Sequence, residues 1–146
     1  MGKQLDLDIA PVASAREAVS GADIVICATS SDVPVMEAAW LAPGSHVNML
    51  GRKTRDRHEL GLDVVERASL IATDSPAQTR AYGAPFFLEG TPHLARMVDL
   101  ADLIAGKAAA RPSPEAITLF CSTGLAGTEV LVGAALLKEW QRRRGA

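Results

Sequence analysis

Four apolar runs rich in β-branched residues, ADIVICAT, SHVNML, SLIATD and EAITLFCS, recur along this chain, and each stops abruptly at small polar residues or glycine. Runs of this kind, without polar alternation, are what strands covered on both faces require. They point to a parallel sheet and away from a sandwich with one wet face. Stretches with helical character lie between them, and this alternation predicts an α/β fold with right-handed crossover connections. Aromatic residues make up only 4% of the chain, so the core must be built from Ala, Val, Leu and Ile.

The punctuation between the runs is specific. A weak strand is expected around Ile9 to Val12. Ser14 is placed to cap a short helix, AREAVS, which Gly21 ends in the left-handed conformation. Pro43-Gly44 turns into the second run, which stops at Gly51 before a charged loop, RKTRDRHE, and a helical stretch, ELGLDVVERA. In SPAQTRAYG, Asp74 or Ser75 can cap, Pro76 fits the first turn and Gly83 can terminate. Between residues 84 and 114, APFFLEGTP reads as a loop, PHLARMVDLADLIAG as one or two amphipathic helices and KAAARPSP as a connection. After the last run, Gly124 turns the chain into a long helix, AGTEVLVGAALLKEWQRRR, apolar at Val130, Ala134, Leu137 and Trp140, with a basic end that suits the helix dipole. The expected division is a sheet domain over 1–125 followed by a C-terminal helix over 126–146.

A net charge of −2 supplies no field for nucleic acid or an anionic membrane, so neither is expected as a partner. Cys27 and Cys121 each sit inside an apolar run and are expected as reduced, packed thiols. The N-terminal MGKQLDLDIAP has no signal-peptide core and no run of about 18 apolar residues occurs, and a cytoplasmic location is expected. His46, His58 and His93 are scattered without a Cys or carboxylate pattern, and no metal site is expected.

In an open parallel sheet, ligands bind beyond the carboxyl ends of the strands, where loop and helix amides are unpaired. That rule nominates three loops: Thr29 to Asp32, Gly51 to Arg57, and Ser122 to Gly124. Their hydroxyl, glycine and basic residues can hold a ribose, a nicotinamide amide or a phosphate, although the same residues also make ordinary turns. No GxGxxG occurs in the chain, so the turn that normally receives a dinucleotide's pyrophosphate is absent. Without that first unit, a sheet of this type is expected to carry an unfilled central position.

Taken in order, GADIVICATSSDVPVMEAAWLAPGSHVNMLG, RDRHEL, ATDSPAQTRAYG and LADLIAGKAAARPSPEAITLFCSTGLAGTEVLVGAAL resemble the corresponding blocks of the ornithine cyclodeaminase and mu-crystallin family. The resemblance implies a Rossmann-like parallel sheet flanked by helices, lacking the first βαβ unit with its glycine-rich turn. It further implies an NAD or NADP cofactor, homo-oligomers, and oxidoreductase or lyase chemistry on amino acids or cyclic imines. Carried over residue by residue, Ala28, Thr29 and Ser30 fall beside the cofactor, Asn48, Leu50 and Gly51 near the nicotinamide, Ser122 on the nicotinamide side, and Arg57 with them as cofactor-binding. No catalytic residue is assigned. In the cyclodeaminases an aspartate about two residues after the glycine acts on the substrate amine. Arg52 and Lys53 stand there instead, and Arg57-His58-Glu59-Leu60 fits the reductase branch better. The expected function is therefore part of a ketimine reductase, pyrroline-carboxylate reductase or amino-acid dehydrogenase, the chain by itself not being catalytically competent. The alternative is a non-catalytic module that self-associates.

Overall fold

The computed structural model describes residues 6–81 and 83–145. The four apolar runs become β1 (Ile24–Cys27), β2 (His46–Met49), β5 (Leu70–Thr73) and β7 (Thr118–Cys121). A fifth strand, β6 (Met97–Asp99), joins them, and a small hairpin, β3 (Lys53–Thr54) with β4 (Arg57–His58), lies apart. All neighbours in the five-stranded sheet are parallel, in the order β1-β2-β7-β5-β6. This is the expected α/β, Rossmann-like sheet with helices beside it.

Ser14 caps α1 (Ala15–Val19), its hydroxyl accepting the Glu17 amide at 3.1 Å, and Gly21 follows at φ +79°. α2 (Leu62–Arg67) turns Val64 and Val65 fully inward. α3 (Pro76–Ala81) starts from Ser75, whose hydroxyl accepts the Gln78 amide at 3.1 Å, so Ser75 supplies the capping side chain. Tyr82 lies outside the described residues. Gly44 turns into β2 at φ +81°, where an added Cβ would also strike the Pro114 carbonyl at 2.6 Å.

One face of the sheet is dry. Val25, Cys27, Val47, Met49, Leu119, Cys121 and Ile71 meet Val19, Leu60, Val64, Val65 and the Phe86 to Leu88 segment in a single cluster. The opposite pleat is different. Ile24 and Ile26 are 64% and 63% exposed, so β1 is covered on one face only, against the expectation of burial on both. Lack of alternation in ADIVICAT reports that both faces are apolar, but it does not say what covers each. Across the same pleat, α4 (Leu100–Ile104) and Arg111 close over the strands to leave a cavity of about 450 Å³ lined by His46, Asn48, Ala72, Thr118 and Phe120 among others.

Three further expectations are corrected. Residues 9–12 form no strand; Ile9 and Val12 are exposed. The segment read as one or two helices holds a 3₁₀ turn (Leu94–Arg96), β6 and α4, because a three-residue strand is too short to display a period. The five strands are contiguous, so no central position is unfilled; β1 is instead an open edge. The long helix α5 (Ala126–Arg144) forms as expected, yet none of its residues is buried.

Candidate functional site

At the carboxyl ends of the strands, two acidic side chains organise the loops. Glu59 follows the β3–β4 hairpin and is fully buried. Its Oε2 accepts the Thr29 amide at 2.7 Å and the Thr29 hydroxyl at 2.8 Å, and its Oε1 accepts the Gly51 amide at 2.6 Å. One carboxylate thus ties the loop after β1 to the loop after β2. Gly51 is required for this approach: a Cβ there would fall on Glu59 Oε2 and on the Thr29 carbonyl.

Asp74, just after β5, does the same for the loop after β7. Its Oδ1 accepts the Thr123 amide at 2.6 Å and the Thr123 hydroxyl, while Oδ2 accepts the Ser122 hydroxyl and the Gly124 amide, each at 3.2 Å. Burial alone would raise the Asp74 pKa, but these bonds, led by those from Thr123, outweigh it and hold the carboxyl below its usual value. Gly124 makes the turn at φ +76°.

The hairpin carries Lys53 to the same edge. Its Nζ donates to the Leu50 carbonyl at 3.1 Å, and burial lowers its pKa against the opposing pull of Glu59, Cys121 and Asp74. Arg52, its neighbour, donates to the Ser30 carbonyl at 3.0 Å and pairs with Asp32 at 3.1 Å. The two thiols are buried and resist ionisation, Cys27 being pushed up to about 11 by burial and Glu59, and Cys121 to about 12 by burial, with Lys53 opposing and Asp74 adding.

The residues nominated from sequence fall into two groups. Thr29 and Gly51 meet on Glu59, and Ser30 receives Arg52. Ala28 is exposed just past β1. The Leu50 amide donates to the Cys27 carbonyl at 2.8 Å, and the Ser122 amide to the Met49 carbonyl at 3.0 Å, so these loops are contiguous. Asn48 and Arg57 are set apart. Asn48 lies within β2 on the open pleat, lining the cavity beside His46, whose Nδ1 lies 2.7 Å from the Thr118 hydroxyl. Arg57 is exposed in the hairpin, its carbonyl accepting from the Thr54 hydroxyl at 3.1 Å.

Glu59 and Asp74 are not among the cofactor-binding residues that the sequence nominates. Asp74 reads in the sequence as a helix cap, and Glu59 only as part of the Arg57-His58-Glu59-Leu60 segment. The signal that could have found Glu59 is its place directly before the apolar Leu60, inside the R-x-E-[LI] segment.

The family profile described as "Ornithine cyclodeaminase/mu-crystallin family" matches residues 1–143. The ketimine reductase mu-crystallin of Mus musculus is 29% identical over 134 residues, 91% of this chain and 41% of the relative. The Delta(1)-pyrroline-2-carboxylate reductase of Paracoccus denitrificans is 30% identical over 138 residues, 92% of this chain and 43% of the relative. Among solved structures, the Thermococcus litoralis Delta(1)-pyrroline-2-carboxylate reductase in complex with NADH and L-proline superposes with a TM-score of 0.75 at 33% identity, covering 86% of this chain and 40% of that one. The chain therefore spans about two fifths of the length of these relatives.

Proposed function

The chain belongs to the ornithine cyclodeaminase/mu-crystallin family, and from that premise we propose that it forms the nicotinamide side of an NAD(P)-dependent site that reduces a cyclic imine or dehydrogenates an amino acid. The observation that carries this reading is the pair of clamps, Glu59 on Thr29 and Gly51, and Asp74 on Ser122 to Gly124. Together they fix three loops at one edge, leaving the Ala28, Ser30 and Leu50 surface open beside them. A planar amide or a ribose can be received there by loop backbone and hydroxyl groups. A bound nicotinamide would supply the hydride. A cyclic imine carrying a carboxylate is the favoured substrate, because Lys53 stands at this edge where amine deprotonation would want an acid's conjugate base.

The chain has no GxGxxG turn of its own, so the dinucleotide's pyrophosphate is not gripped by this half. Binding of NADH or NADPH by the chain alone is consequently weak. Titration followed by backbone amide NMR tests the reading. Reduced nicotinamide mononucleotide and NADH are expected to perturb residues 28–30, 50–51 and 122–124, whereas ADP-ribose leaves them unmoved. Loops that respond to ADP-ribose alone, or to none of the three, sink the reading.

A second reading, a non-catalytic module that self-associates, is favoured by one observation. α5 exposes Val130, Leu131, Val132, Leu136, Leu137 and Trp140, each at least half accessible, and β1 offers Ile24, Ile26 and a free edge. A homo-oligomer is expected, and a monodisperse monomer by light scattering counts against it. Among the described residues no helix is long and apolar enough to cross a membrane. The two free, buried thiols support the cytoplasm as its compartment.

A further inference from the structure

We propose that Lys53 is the proton donor of imine reduction at the carboxyl edge, giving a proton from Nζ to the imine nitrogen as hydride reaches the imine carbon. The assignment rests on the reductase reading and goes beyond it by naming the acid.

Reduction of C=N to an amine consumes one hydride and one proton. The hydride forms the new C–H bond, the π pair moves to nitrogen, and nitrogen takes the proton as NAD(P)H becomes NAD(P)⁺. Neutral Lys53 then regains its proton from solvent. A proton source must therefore lie beside the nicotinamide, and the groups at this edge can be taken in turn. Both Glu59 oxygens accept hydrogen bonds, from Thr29 and Gly51, and both Asp74 oxygens accept from Ser122, Thr123 and Gly124. These carboxylates act as acceptors. The Thr29 and Ser122 hydroxyl protons are committed to them. Cys121 is fully buried and holds its proton up to about 12. Arg52 is engaged by Asp32 and the Ser30 carbonyl, and a guanidinium does not give up its proton. His58, opposite Lys53 in the hairpin, has Nδ1 at 3.2 Å from the Thr54 carbonyl and its ring stacked on Phe87.

Lys53 differs from the carboxylates, the bonded hydroxyls, the thiol and the guanidinium in holding protons that it can release. Its hydrogen bond to the Leu50 carbonyl at 3.1 Å leaves two of the three ammonium protons to face a ligand. Leu50 follows the end of β2, whose Met49 carbonyl receives the Ser122 amide, so the ammonium is anchored where the β2 and β7 loops adjoin. Half-burial also brings its pKa down, closer to that of an imine nitrogen, which favours transfer.

Reductive methylation with ¹³C-formaldehyde labels the four lysines, Lys3, Lys53, Lys107 and Lys138, and the Lys53→Arg variant identifies the Lys53 signal. In the full chain, that signal is expected to titrate at lower pH than the other three and to move when Δ1-pyrroline-2-carboxylate is added, the others staying in place. In NADPH or NADH oxidation with the same imine, Lys53→Met is expected to lower kcat by roughly a hundredfold, change KM by less than about threefold and abolish the alkaline fall of kcat. A Lys53 signal that ignores the imine overturns the proposal, as does a Lys53→Met variant that keeps kcat while KM rises. Where turnover by the chain is undetectable, the ¹³C signal decides alone. Failure of the reductase reading is seen separately, as loops that do not respond to reduced nicotinamide mononucleotide or NADH.

Discussion

Glu59 reaches back eight residues to Gly51, its Oε1 2.6 Å from the Gly51 amide, while the other oxygen of the same carboxylate holds Thr29 in the loop after β1. The pair makes a buried charge into a fastening between two strand ends. Removing the carboxylate leaves two part-buried amides without acceptors, which costs more than the bonds were worth in water. Glu59→Ala is expected to destabilise the chain by about 3 kcal/mol in urea unfolding. Glu59→Gln, which fills the space but brings an amide donor against amide donors, should lose more than half as much.

Gly51→Ala attacks the same fastening from the other side. A methyl group there falls on the carboxylate and on the Thr29 carbonyl, neither of which is the free end of a flexible chain. The expected cost is about 2 to 3 kcal/mol, with amide NMR shifts concentrated at residues 28–30 and 50–60. Unchanged unfolding midpoints would contradict the geometry.

The strands of this site were legible because apolar β-branched runs carry their own signal; the fastenings were not, because a hydrogen-bond acceptor is defined by what the chain brings to it. Glu59 sits in RKTRDRHEL, where five other charged residues mask one that turns inward, and the two-residue strands of the hairpin are too short to alternate visibly. β6 was hidden for the same reason, MVD reading as part of an amphipathic helix. Asn48 illustrates a period effect. Placed beside the nicotinamide from its motif, it falls on the pleat opposite Met49, with His46, so its side chain faces the open side of the sheet.

Asp74 gives the chain an acid dependence whose sign is fixed by its lowered pKa. A carboxyl held below its unfolded value contributes stability that is present above about 3.8 and lost as pH falls through the folded value. Asp74→Asn should be less stable than the parent at pH 7, and the gap should close as both are taken below pH 3.8. Parallel stability curves for the two proteins over that range would exclude Asp74 as the cause.

Both thiols should be silent in the native state. Cys27 and Cys121 are 5% and 0% exposed and are held protonated to about 11 and 12, whereas the thiolate is the reactive form. Ellman's reagent at pH 8 is expected to release colour only at the rate of unfolding, and to count two thiols in urea. Rapid native reaction of one equivalent would show that the sheet core opens locally near β1 or β7.

α5 separates folding from association. A helix whose middle, VLVGAALL, is apolar all round is ordinarily buried, yet nothing among the described residues covers it. Its contribution to the stability of the sheet core is therefore small, and its contribution to any oligomer large. Replacing Leu136 and Leu137 together by Glu should leave the urea midpoint of the core within about 0.5 kcal/mol of the parent, as for surface positions. The same change should shift the light-scattering mass to that of a monomer. If the core unfolds with the substitution, α5 packs on its own sheet, across the exposed Ile24, Ile26 and Phe120 side. If the mass of an oligomer persists unaltered, the contact between copies lies elsewhere, and the open edge of β1 becomes the place to look.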